Sequence, residues 1–178
     1  MSTVIEQAAK DKHSLIFYED FNNKTGKKNT YVDWGLVPAK RPRIKKPPLK
    51  EHYIDLTGSD GFIDVTDLLS GGPTFGSRED SITFYIDYDR LKAAHPDWFT
   101  KMFDSELLLY NVWDELYDDV TNYLHGQYRY MQLCDNPKWH YCGRWQVNDF
   151  LSEANYSQIV LDYHLEPYKY DAGGNPSL

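Results

Sequence analysis

Only one stretch of this chain carries an uninterrupted helical period, and strand signals surround it on both sides. Trp113, Leu116, Tyr117, Val120 and Leu124 fall on one stripe at helical spacing, with Asn111 placed as an N-cap and Gly126 as a C-terminal stop. Upstream, in "SITFYIDYD", Ile82, Phe84, Ile86 and Tyr88 alternate with Thr83, Tyr85 and Asp87, the period of a half-buried strand. Downstream, "QYRYMQLC", "WHYCGRWQVNDF" and "YSQIVLDYHL" are strand runs separated by turns at "DNPK" and "SEAN", an antiparallel meander. One central helix between strand runs, with no repeated βαβ spacing, predicts a mainly β fold. The expected form is an antiparallel β-sandwich or barrel with that helix packed against it.

The first third is less regular. "SLIFYEDF" reads as a strand, "NNKTGKKN" as a turn and the aromatic-rich "TYVDWGLVP" as its return, a hairpin-like opening. From Lys40 to Lys50 the run "KRPRIKKPPLK" is basic and holds Pro42, Pro47 and Pro48, so it predicts an extended connector or an edge segment. Gly71, Gly72, Pro73 and Gly76 predict a loop, and Pro96 breaks the partly helical "LKAAHPDWFTKMFDSELLLY" and suits a helix start.

A chain of 178 residues, 41% hydrophobic, suits one compact domain. We place it at 14–170, after a flexible segment at 1–13 and before a tail at 171–178. The net charge of -8 argues against a sequence-independent grip on phosphate backbones, which needs clustered Lys and Arg. The polar N-terminus has no apolar signal region, and no window approaches the length of a membrane span. Cys134 and Cys142 flank a turn where they could face each other, but reduced, buried thiols are expected.

Candidate chemistry concentrates in "YIDLTGSDGFIDVTD", where Asp55, Asp60, Asp64 and Asp67 gather around Gly58 and Gly61. A calcium loop needs alternating oxygen ligands and a closing Glu between helices. Here Ile54 and Leu56 alternate with Tyr53 and Asp55, and "FIDV" follows a turn ending in Asp60-Gly61, which predicts a β-hairpin with a solvated or partner-facing edge. His125, Cys134, His140 and Cys142 lack the paired spacing of a zinc site. Neither a Gly-x-Ser-x-Gly elbow nor a phosphate-binding loop is present. The chain is therefore read as non-enzymatic, with no catalytic residue, metal or cofactor. Its 15 Tyr and 5 Trp suit protein interfaces, with a carbohydrate-binding platform as the alternative. A hydrolase built on paired Asp or Glu is a distant third.

The ordered segments "KKNTYVDWGLVPAKRP", "YIDLTGSDGFIDVTDLLSGGPTFGSRE", "SITFYI", "NYLHGQ" and "VLDYHLEPYKY" resemble the N-terminal domain of distal tail proteins of long-tailed bacteriophages. The resemblance covers about residues 14–170. Its motif positions include Trp34, Gly35, Leu36, Gly61, Gly126 and Pro167. It implies a β-sandwich or split barrel related to the tail-tube fold, with one principal helix and a projecting hairpin. It further implies a hexameric ring joining the tail tube to a tail-tip hub, lysin or fibre proteins, with DNA passing through the lumen unbound. The location implied is the virion, after assembly in the bacterial host cytoplasm. On the hairpin, Ile54, Leu56, Phe62, Ile63 and Val65 are the expected neighbour-facing residues. Two departures stand out: 95–110 looks like an insertion before the helix, and many members continue into a peripheral domain beyond the point where "DAGGNPSL" stops.

Overall fold

The structure, a computed structural model, describes residues 11, 13–58, 60–68, 70–100, 105–152 and 157–178. The strands are β1 (Leu15–Tyr18), β2 (Lys28–Asn29), β3 (Leu36–Pro38), β4 (Tyr53–Asp55), β5 (Phe62–Asp64), β6 (Arg78–Ile86), β7 (Tyr128–Leu133), β8 (Asn136–Ser152), β9 (Ser157–Tyr170) and β10 (Pro176–Ser177). The helices are α1 (Tyr88–Ala94), a single 3-10 segment (Pro96–Phe99) and α2 (Ser105–Leu124). One antiparallel sheet runs β2–β1–β7–β8–β9–β6–β3, with β10 added to β9, and β4 and β5 form a separate two-stranded ribbon. The split-barrel form is the one adopted: a curled sheet closes halfway around α2.

Alternation decides which side chains face the helix. Leu15 and Phe17 on β1, Met131 and Leu133 on β7, Trp145 and Val147 on β8, and Ile159, Leu161, Tyr163 and Leu165 on β9 are all buried. They meet Val112, Leu116, Val120 and Leu124 of α2 in one cluster. The expected helical stripe is thus the buried face, with Tyr117 at its margin against Phe150. The curl comes from irregular pairing between the two longest strands. Asn148 is an extra residue on β8, and Cys142 alone faces Glu166, Pro167 and Tyr168 of β9. Such bulges bend a strand and increase its twist. Pro167, with no N–H to donate, sits in this break in the ladder. At Gly143 a Cβ would lie 2.3 Å from the His164 carbonyl oxygen, so only glycine admits the close approach of β8 and β9.

Several expectations need correction. Asn111 is not an N-cap, because α2 begins at Ser105. The strong helix formers in "SELLLY" carry the helix through Asn111, whose interior placement costs well under about 1 kcal/mol. Tyr88 does not continue the strand: β6 ends at Ile86, and the Asp87 side chain caps α1 by accepting from the Arg90 N–H. The opening hairpin holds only through β2, since β3 pairs with β6 at the opposite edge of the sheet. The "DNPK" turn is shorter than expected, because Asn136 already belongs to β8. Cys142 faces Tyr130 across the β7–β8 pair, so the two cysteines do not oppose each other, and both are free.

Other features follow the sequence. Pro96 opens the 3-10 segment, the stretch from Arg41 to Pro48 forms neither helix nor strand, and Gly126 ends α2 with φ +71° and its N–H on the Trp145 carbonyl. Residues 176–177, assigned to a tail, add to the sheet as β10. Residues 153–155 of the "SEAN" turn and most of 1–13 lie outside the described residues.

Candidate functional site

The ribbon β4–β5 is the least covered element of the fold. Its pairs are Tyr53 with Asp64, Ile54 with Ile63, and Asp55 with Phe62, and the Leu56 N–H closes the turn onto the Gly61 carbonyl. Gly58, with φ +84°, supplies the left-handed turn residue. Gly61, expected in that role from the Asp60-Gly61 pair, has no positive φ. At the ribbon's base Val65 donates to the His52 carbonyl, and Asp64 accepts from the Thr66 N–H. The Thr66 side chain first, and its N–H second, hold the Asp64 carboxyl below its ordinary pKa.

Strand alternation sorts the expected interface residues onto two faces. Ile54, Leu56, Ile63 and Val65 share one face, because Ile54 pairs directly with Ile63 and the others lie two residues away. Phe62 lies on the other face, where its ring packs edge-on against Tyr53 at 4.5 Å. Ile54 is 53% exposed, Ile63 48% and Phe62 61%. Tyr53 and Leu68 were missed by the sequence reading and are also exposed. Tyr53 was legible as the diagonal neighbour of Phe62, whereas nothing local in "TDLLS" marks Leu68 as uncovered. Ile54, Leu56 and Ile63 thus stand together as exposed aliphatic side chains on one face, the kind of surface a partner covers. Asp55, Asp60, Asp64 and Asp67 are spread along the ribbon and the segments at its ends. Among the described residues no group of three His, Cys, Asp or Glu gathers as a metal site.

The other chemically suggestive residues do not converge. The His125 ring nitrogen accepts from the Val147 N–H, whereas His140 stacks on Phe21 at 3.7 Å farther along β8. Burial, followed by the nearby Glu166 carboxylate, pushes the Cys142 thiol up to about 12, which keeps it protonated and poorly nucleophilic at neutral pH. A charged groove of about 440 Å³ crosses the outer face of β6, β8 and β9. There Lys45 meets Asp80 at 3.0 Å and His164 meets Glu79 at 3.0 Å. A general acid needs a raised carboxyl pKa. Among the described residues, the carboxyls displaced from their ordinary range, Asp20, Asp64, Asp80 and Asp171, all move down, through bonds from Asn23, Thr66, Lys45 and Asn175 in turn.

No protein-family model matches the chain, and no curated protein matches it. Among solved structures, the crystal structure of the Dit (gp 19.1) protein of phage SPP1 aligns with a TM-score of 0.54 at 15% identity, over 88% of this chain. That protein is described as a paradigm of hub adsorption apparatus in phages that infect Gram-positive bacteria. The fold is Dit-like. The chain corresponds to 52% of the SPP1 Dit chain.

Within this Dit-like fold the motif positions have distinct local tasks. Trp34 is fully buried, and its Nε1–H donates to Asp119 of α2 at 2.5 Å. Gly35, at φ +65°, would place a Cβ 2.8 Å from the Asp87 carbonyl, while its own carbonyl accepts from the Asp87 N–H. The pair locks α1 onto the turn before β3, and Leu36 then enters the core beside β6. The Pro167 carbonyl accepts from the buried Arg78 guanidinium, which also donates to the Lys45 carbonyl and so fixes the basic connector. Gly61 sits at the turn of the exposed ribbon, and Gly126 at the exit of α2.

Proposed function

We propose that the chain is a non-enzymatic structural component of a phage tail, whose copies close into a six-fold ring at the distal end. In this reading the ring joins the tail tube above to a tail-tip hub, lysin or fibre proteins below. The bare aliphatic face of β4–β5, on a Dit-like fold, is the observation that carries it. Ile54, Leu56, Ile63 and Val65 dock on the next copy, a head-to-tail contact that closes when the rotation per subunit permits. Because Ile54, Leu56 and Ile63 are only about half exposed, covering them contributes roughly half of the 1.5–3 kcal/mol that full burial of such a side chain is worth, about 1 kcal/mol each. The chain's net charge of -8 suits a lumen through which DNA passes without being held. The protein then resides in the virion after assembly in the host cytoplasm.

Solution mass and negative-stain imaging test the ring directly, and six-fold particles are expected. Ile63→Asp combined with Val65→Asp is expected to abolish them while leaving the melting temperature unchanged. Rings that survive the double substitution would remove the ribbon from the interface. A chain that stays monomeric at all concentrations and is missing from purified tails would remove the ring itself.

A further inference from the structure

At the end of the sheet where β7, β8 and β9 meet, the outer face holds a cleft of about 260 Å³ that the assembly reading leaves without a task. Tyr128 and Tyr130 stand two apart on β7, and Cys142, opposite Tyr130, points into the same cleft. Glu166, lifted out by the bulge at Pro167, lies between two tyrosines. The Tyr128 hydroxyl donates to Oε1 at 2.5 Å and the Tyr170 hydroxyl to Oε2 at 2.7 Å.

This arrangement is unusual in what it leaves free. Tyr128 is 39% exposed although its hydroxyl is anchored, so its ring is a fixed platform that loses little rotamer freedom when a ligand stacks on it. Each Glu166 oxygen receives one tyrosine hydrogen and retains a further acceptor site. Tyr130, His140 and Asn22 bring further polar groups to the lining of the cleft. A rigid aromatic face beside a carboxylate and several further polar side chains matches a ligand with one apolar face and a rim of hydroxyls.

The adjacent charge selects between ligand classes. The Lys24 ammonium lies 3.3 Å from the Phe21 ring centroid and 4.8 Å from that of Tyr18. Phe21 also lines the cleft, but its ring already carries the Lys24 ammonium and stacks on His140, so it offers a cationic ligand no free aromatic face. A neutral polyol has no need of the Phe21 ring. We propose that this cleft binds a saccharide, with the apolar face of a pyranose on the Tyr128 ring and its hydroxyls on Glu166 and Tyr130. The site is independent of the β4–β5 ribbon, and neither proposal depends on the other.

Isothermal titration of the full chain with maltose, cellobiose, lactose and N,N′-diacetylchitobiose tests it, with tetramethylammonium chloride as the cationic probe. At least one disaccharide is expected to bind saturably. Tyr128→Ala and Glu166→Gln should each weaken it at least tenfold with melting temperature unchanged. Tyr128→Phe, which keeps the ring and releases its anchor, should weaken it less, and together with Glu166→Gln it carries the test if Tyr128→Ala does not fold. Absence of saturable binding to all four sugars overturns the proposal. So does sugar binding that both Glu166→Gln and Tyr128→Phe leave intact, or saturable binding of tetramethylammonium that sugars do not displace.

Discussion

His140 shows how a single side chain couples the sheet surface to pH. Its ring lies against Phe21, and burial, followed by the nearby Lys24 charge, lowers its pKa below the ordinary 6.5, with Asp171 opposing the shift weakly. A folded-state pKa below the unfolded one means that the unfolded chain takes up the proton first. Stability is therefore intact above about pH 6.5 and falls as pH drops through that value towards the folded pKa. His140→Phe keeps the stacked ring and removes the proton site. Urea denaturation at pH 8 and pH 5 should show a smaller acid-side loss for the variant than for the parent chain, and equal losses would show that His140 does not couple folding to pH. Trp34, Gly35 and Leu36 show what is legible at this scale. Their run was visible as a motif, but the reason for Gly35 is the Asp87 carbonyl, 52 positions away in sequence, 2.8 Å from where a Cβ would sit.

Among the elements, the ribbon β4–β5 and the helix α2 make a useful contrast. Alternation and a glycine-bearing turn were enough to place the ribbon, because a hairpin pairs near neighbours and needs no distant information. Its side chains contribute nothing to the core cluster. Replacing 53–64 with a short Gly-Ser link should therefore shift unfolding free energy by less than about 1 kcal/mol, since shortening a loop changes its closure entropy only slightly. A larger loss in denaturant titration would mean that the ribbon supports the fold as well as any partner. The stripe from Trp113 to Leu124 was equally legible, as the buried face of α2. Its start was not, because Asn111 is a good cap in isolation and only the preceding "SELLLY" decides that the helix is already under way. The placement of β3 was hidden for a different reason. Leu36 pairs with Ile86, and nothing within the run "TYVDWGLVP" says that its second half crosses to the opposite sheet edge.

For the molecule as a whole, one core joins every strand of the large sheet that packs on α2, from Leu15 on β1 through Trp145 on β8 to Leu165 on β9. A single continuous core predicts a single cooperative transition. Far-ultraviolet circular dichroism and tryptophan fluorescence should melt together, since Trp34 and Trp145 lie fully buried in that core. Separated transitions would mean that part of the sheet unfolds independently. By itself the sequence determined the mainly antiparallel character, the principal helix, the exposed ribbon and a basic connector without helix, because each rests on period, turn chemistry or proline within a short window. The tertiary structure alone decided that the strands form one curled sheet, that β3 closes its far edge, and that Tyr128, Glu166 and Tyr170 meet in a cleft. Those depend on pairings between segments far apart in the chain and on the bulges at Asn148 and Pro167, and register between distant strands leaves no mark in either strand's own pattern.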